Sequence, residues 1–249
     1  MNQAHAGRCY IVTGGSRGLG YATAQVLVNE GARVLLVARD ADRLETSVTA
    51  LGAGAIGVQG DLADPQLAGE IVAKAIAEFG RLDGAFVSVG GPAPGSVLST
   101  SDDAWRLAFE SIFVGALRLV REVCGSLESG GVIGLVLSSS AKEVLPGLTI
   151  SNGLRPGLAM LIKDLADEVG PRGIRVIGLL PGRIATDRIA EIDAAAGPES
   201  RQRSQDRIPL RRYGSPDEFG VVAAFMLSEQ ASYVTGCLIP IDGGLLRTP

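Results

Sequence analysis

Cys9-Tyr10-Ile11-Val12-Thr13-Gly14-Gly15-Ser16-Arg17-Gly18-Leu19-Gly20 is an apolar run that breaks into four glycines and passes straight into a helical pattern. The run at 8–13 predicts a strand buried on both faces, and the periodicity of 18–29 predicts a helix. Glycines at such a turn let backbone N–H groups approach a diphosphate closely, and the helix N-terminus adds a dipole that favours negative charge. A tight turn can also bind nothing. Its position in the first β-α unit of an α/β chain is the context that gives the motif weight. The spacing is Thr-Gly-x-x-x-Gly-x-Gly, not the commoner Gly-x-Gly-x-x-Gly.

Outward from this unit the rhythm repeats. Strands are predicted near 33–38, 55–59, 83–89, 132–138, 174–180 and 237–241. Helices are predicted near 41–51, 65–79, 102–127, 154–169 and 215–228. Strands alternating with helices imply a parallel sheet covered on both faces. The expectation is one α/β domain over 1–249, a Rossmann-type doubly wound parallel sheet of about seven strands with helices on both faces. Residues 183–214 break the rhythm. They are polar and lack strand character, and a connection that long suggests a substrate lid.

Composition removes whole function classes. The 23 basic and 27 acidic residues leave a net charge of −4, so no basic face is available for nucleic acid. The longest apolar runs, 132–137 and 174–180, are too short to span a bilayer, so no membrane contact is expected. The first residues, Met1 to Ala6, show no leader pattern, and the three cysteines lie far apart, which points to a reducing cytoplasm. The one histidine, His5, is expected in a frayed tail. That argues against histidine catalysis and against a metal site.

The chain resembles the short-chain dehydrogenase/reductase family. Besides the glycine turn, the resemblance rests on Asp61-Leu62 after the third strand and Gly90-Gly91 after the fourth. It extends to Pro181-Gly182 with Thr186, and to Tyr233-Val234-Thr235-Gly236 through Asp242-Gly243-Gly244. It implies a nicotinamide dinucleotide held by Gly14, Ser16, Arg17, Gly18, Leu19, Gly20, Arg39, Asp61, Leu62, Gly90, Pro181, Gly182, Ile184 and Thr186. NAD binders usually carry a carboxylate at the end of the second strand, but that strand ends Val37-Ala38-Arg39. Arg39 and Arg17 suit a 2′-phosphate, whose oxygens match a guanidinium fork, or else are plain surface charges. NADP(H) is therefore favoured over NAD(H).

The same resemblance implies a serine on the substrate carbonyl, a tyrosine acid/base and a lysine four residues beyond it. Ser138 fits the serine. Counting 13 residues on gives Ser151 in place of tyrosine, and Arg155 stands where the lysine belongs. An assisting asparagine is replaced by Ile112. A serine hydroxyl is a much weaker acid than a phenol, whose pKa is about 10. Arginine stays protonated, so it can hold a ribose but cannot relay a proton. Lys142, four residues after Ser138, is then the candidate proton donor, its pKa lowered if it is buried beside a guanidinium. Its plain alternative is a solvated lysine paired with Glu143. Gly90-Gly91-Pro92-x-Pro94-Gly95, Lys142-Glu143 and Leu148-x-x-Ser151-Asn152-x-x-Arg155 are similar to a divergent β-ketoacyl-carrier-protein-reductase-like subgroup with an imperfect tetrad.

Three further expectations concern shape. Pro156 should delay or kink the helix predicted at 154–169, with Ser151 or Asn152 as its cap. Residues 183–212 carry seven arginines against five carboxylates, a mobile lid or a basic surface for a carrier-bound substrate. Apolar residues beyond one sheet face's needs (Leu107, Phe113, Leu117, Val120; Leu158, Leu161, Leu165) point to a homo-oligomer, a tetramer by the resemblance. The favoured reading is an NADP(H)-dependent oxidoreductase reducing a ketone or 3-oxoacyl carbonyl, a small-molecule substrate that is free or carrier-bound. The glycine turn also allows a cyclase or isomerase on the same scaffold, or a catalytically silent cofactor-binding subunit.

Overall fold

The computed structural model describes residues 3–248, so Met1 and Asn2, where the absence of a leader was read, lie outside the described residues. The apolar runs form β1 (Cys9–Thr13), β2 (Arg33–Ala38), β3 (Ala55–Gln59), β4 (Gly84–Val87), β5 (Val132–Val136), β6 (Arg175–Pro181) and β7 (Cys237–Ile241). They pair in parallel in the order β3-β2-β1-β4-β5-β6-β7, with Thr13 opposite Val37 and Val12 opposite Phe86. The order reverses between β1 and β4. The connections there leave in opposite directions and open a crevice at the carboxyl ends of the strands.

Successive residues of β1 point to opposite faces, and both faces are covered. Tyr10 and Val12 join Leu27 of α1 (Gly18–Asn29), Leu44 of α2 (Ala41–Leu51) and Phe219 of α9 (Pro216–Leu227). Ile11 joins the opposite layer with Ile71 of α3 (Leu67–Phe79), Leu119 of α5 (Gly115–Ser126) and Leu158 of α6 (Thr149–Val169). The doubly wound Rossmann-type architecture is the one expected.

Several details differ from the sequence reading. The single helix expected over 102–127 is α4 (Asp102–Ala108), a stretch of wider i→i+5 helix at Phe109–Val114, and α5. Ile112, at the asparagine position, is buried in that π segment. Such insertions are frequent at functional sites. The segment 183–214 does lack strands, but it holds α7 (Asp187–Ala195) and α8 (Ser200–Arg207).

The prediction for Pro156 is overturned. α6 runs unbroken from Thr149 to Val169 with Pro156 inside it, and neither Ser151 nor Asn152 caps it. The magnitudes explain why. An interior proline costs about 3 kcal/mol. Burying Ile150, Leu154, Leu158 and Ile162, none more than 7% exposed, gains roughly 2 kcal/mol each. Pro156 is exposed, so water can reach the carbonyl its ring leaves without an N–H. The Asn152 amide instead braces the preceding loop, accepting from Leu145 N at 3.0 Å and donating to Leu145 O at 2.9 Å.

His5 is no frayed residue either. Its ring is wholly buried, 2.9 Å from the Tyr10 hydroxyl and 3.0 Å from the Ala224 carbonyl. The chain before β1 folds back along α1, with His5 N–H donating to Glu30 O, and this carries the ring under α9. Burial lowers its pKa, and the Ala224 carbonyl opposes that shift.

Candidate active site

The diphosphate end is built from backbone. Gly14 adopts φ +59°, and a Cβ there would stand 2.6 Å from the Ser88 carbonyl oxygen. A Cβ on Gly20 would stand 2.3 Å from the Gly14 carbonyl oxygen, so α1 presses directly on the turn. Thr13 fixes the turn against β4, its hydroxyl donating to Ser88 O and accepting from Ser88 N, both at 2.9 Å. Arg17 precedes α1 in extended conformation and makes no capping bond. The first N–H groups of α1 therefore face the crevice without a side-chain acceptor, beside Ser16, Gly18 and Leu19. The turn fits a diphosphate.

At the candidate adenosine end, β2 closes on Ala38 and not on a carboxylate, and Asp40, two residues on, caps α2 by accepting from Arg43 N. Arg39 is 74% exposed and lies 3.6 Å from Asp61. Asp61 also accepts from Ala63 N, and Leu62 is buried with its carbonyl against Gly115. Gly90 lies beside the Arg39 guanidinium. Arg17 is half exposed and pairs with Asp187 at 3.4 Å.

The far wall comes from β6 and α7. Pro181 ends β6, and Gly182 packs so closely on Asp242 that a Cβ would approach that side chain to 2.5 Å. Ile184 is buried and bridges to Gly214. The Thr186 hydroxyl caps α7, and its methyl faces Gly18. Arg188, the second residue of α7, lies along Gly91 and donates to Pro92 O. The sequence reading missed this residue, since nothing in a run of arginines marks the one that crosses to another loop.

The candidate reacting end combines the half-buried Ser138 and Lys142 with the buried Ser140, Ser151 and Arg155. Ser138 follows β5 in extended conformation, and its oxygen accepts from Ser140 N at 3.1 Å. The helical turn Ser139–Ala141 then swings Ser140 inward, where its hydroxyl lies 2.9 Å from that of Ser151, both buried. Ser140 was not anticipated, because three consecutive serines look alike until the turn selects one. Arg155 lies one helical turn beyond Ser151, so the two share a face of α6, contrary to the expectation for a kinked helix. Its Nη1 donates to Val136 O at 2.8 Å, and its Nε is buried without a partner. Burial alone pulls its pKa down to about 10, so it stays charged at neutral pH. Lys142 follows the same turn and is half-buried. Among the described residues no three His, Cys, Asp or Glu side chains converge as metal ligands, and no helix is long and apolar enough to cross a membrane.

The sheet order, the glycine turn and the bare helix N-terminus together define a doubly wound α/β protein with a phosphate-accepting crevice. The family model described as enoyl-(acyl carrier protein) reductase matches residues 14–246. The L-rhamnose 1-dehydrogenase (NAD(P)(+)) of Sphingomonas sp. strain SKA58 is 33% identical, over 96% of each chain. The structure of L-sorbose reductase from Gluconobacter frateurii, complexed with NADPH and L-sorbose, superposes with a TM-score of 0.93 at 30% identity over the whole of both chains. A short-chain dehydrogenase/reductase of Serratia marcescens superposes at 0.89, with 28% identity over 97% of this chain and 99% of that one. The chain belongs to the short-chain dehydrogenase/reductase family.

Proposed function

We propose that the protein is an NADP(H)-dependent oxidoreductase that reduces the carbonyl of a ketone or 3-oxoacyl compound. The observation that carries this reading is convergence. The glycine turn, Gly90, Ser138, Ser151, Arg155 and Thr186 all stand at the carboxyl edge of one sheet, on either side of its reversal point. Family membership and the nicotinamide enzymes among its relatives support the cofactor class. The phosphate preference rests on Arg17 and Arg39 and on Ala38, in place of a carboxylate, as the last residue of β2. Residues 183–214 serve as the lid in this reading, with α7 crossing from Gly18 to Pro92.

A reduced nicotinamide supplies a hydride when bound, and the remaining work falls to the chain. Ser138 donates a hydrogen bond to the substrate carbonyl. Arg155 would hold the nicotinamide ribose, and its positive charge would stabilise negative charge developing on that oxygen. Lys142 delivers the proton. Ser140 orients the Ser151 hydroxyl and keeps it from rotating away. An apolar substrate is favoured by the rim, where Val97, Leu98 and Val144 are 75%, 99% and 78% exposed. Their loops are joined by the Gly95–Leu148 bridge just ahead of α6. The test is NADPH oxidation across a panel of apolar ketones, 3-oxoacyl thioesters and reducing sugars. Turnover is expected with the first two groups, and Lys142→Ala should lower it about a hundredfold. Turnover with sugars alone would overturn the substrate class, and tight NADPH binding with no turnover would support the cyclase or isomerase and silent-subunit readings, which serine in place of tyrosine at 151 also favours.

Assembly as a homo-oligomer, with a tetramer as the specific expectation, is part of the proposal. Val120 and Leu158 prove to be core residues, so they lend it no support. Leu107, Phe109 and Met160, which are 70%, 45% and 73% exposed, do support it.

A further inference from the structure

Arg155 is anomalous in a way that its proposed ribose contact does not explain. It is 4% exposed, and among the described residues no carboxylate lies within ion-pair distance of it. Nor does any element packed on α6 neutralise it. Glu110 of the π segment is paired with Arg118. Asp242 after β7 is occupied by Gly244 N and Leu246 N. Of the charged side chains on the loop after β5 and on α6, Lys142, Glu143, Lys163 and Asp164 form no ion pair with it. An uncompensated buried charge acts on its surroundings several-fold more strongly than it would in water. Its hydrogen bond to Val136 O fixes it at the end of β5, two strands and so roughly 10 Å from the glycine turn at the end of β1. A dinucleotide held by its diphosphate at that turn would have this charge within reach of its nicotinamide end.

We propose that Arg155 makes the crevice distinguish the two oxidation states of the nicotinamide, holding the uncharged reduced ring more tightly than the cationic oxidised one. The inference rests on the cofactor reading above and adds a direction to it: the reduced nucleotide is retained and the oxidised one is released. It also gives a reason for arginine at this position. A lysine buried there without a counter-charge would shed its proton near neutrality, whereas a guanidinium keeps its charge.

The experiment titrates dialysed full-length protein with NADPH by fluorescence and with NADP+ by calorimetry, at pH 6.5 and 9. Both forms carry the same 2′-phosphate, so the ratio of the two dissociation constants isolates the ring. The wild type should bind NADPH roughly tenfold or more tightly than NADP+ at both pH values. Arg155→Met should bring the ratio to within about threefold of unity. Arg155→Lys should keep it at pH 6.5 and lose it at pH 9. If Arg155→Met does not fold, as a thermal melt would show, the Arg155→Lys pair of measurements decides the matter alone. Equal affinities in the wild type, or an unchanged ratio in either variant at pH 9, overturn the inference while leaving the cofactor reading intact. Absence of binding to both nucleotides overturns the two together.

Discussion

Two guanidinium groups are buried among the described residues, and they are satisfied to very different degrees. Arg175, at the start of β6, donates to three backbone carbonyls: Met226 O at 2.9 Å, Val234 O at 3.3 Å and Ser228 O at 2.8 Å. Arg155, beside the end of β5, makes one such bond and leaves Nε with none. Burial lowers the pKa of both, and neither is paired with a carboxylate among the described residues. The difference follows from position. The amino edge of a parallel sheet is closed by returning loops that bring carbonyls to Arg175. The carboxyl edge is where the sheet opens for ligands. A saturated buried cation is a structural staple, and an unsaturated one is a group set aside for something else.

The contrast is broken most forcefully by substituting each arginine with methionine. Arg175→Met strands three carbonyls and should lower unfolding stability by about 3 kcal/mol, with the nucleotide affinity ratio unchanged. Arg155→Met removes an uncompensated charge and should change stability by less than about 1 kcal/mol in urea unfolding. If both variants lose stability equally, the distinction between staple and site fails.

A smaller effect tests the helix that carries Arg155. Because Pro156 is exposed and lies outside the apolar core, Pro156→Ala should raise stability by about 2 kcal/mol and leave nucleotide affinity alone. A change in affinity would mean that the proline shapes the 151–155 face after all. Exposed arginines should behave differently from both buried ones. Arg17→Ala with Arg39→Ala should weaken NADPH about tenfold, leave NADH unaffected and cost no measurable stability, since their ion pairs are solvated. Calorimetry with the two reduced nucleotides reads this directly.

The smallest effect concerns His5, the buried basic group whose ring nitrogens both have partners. Its folded pKa lies below the ordinary histidine value because burial disfavours the charged ring. The unfolded chain therefore binds the proton more readily. The stability His5 contributes is complete above about pH 6.5 and is lost as the pH falls through the depressed folded value. Chemical unfolding between pH 7.5 and 5 should show a loss of about 1 kcal/mol that His5→Gln removes.

Local chemistry was legible and long-range packing was not. The glycine turn, the alternation of strands and helices, and the replacements at Ser151 and Arg155 could be read because each depends on residue type and spacing along a few neighbours. Pro156 misled for the same reason. Its local preference is real, but it is outweighed by four apolar side chains whose partners on β5 and β6 are invisible to a local reading. His5 misled because a short polar segment near an end gives no sign that it will be folded under α9.

The amino-acid sequence alone determined the doubly wound sheet, the glycine turn after β1 and the presence of serine and arginine at 151 and 155, because residue type and local spacing are properties of the chain itself. Only the tertiary structure decided that Ser140 meets Ser151, that α7 reaches across to Pro92, and that Arg155 is enclosed with an N–H unanswered. Whether a polar group is satisfied is a property of everything around it, and that environment exists only once strands distant in the chain have closed upon it.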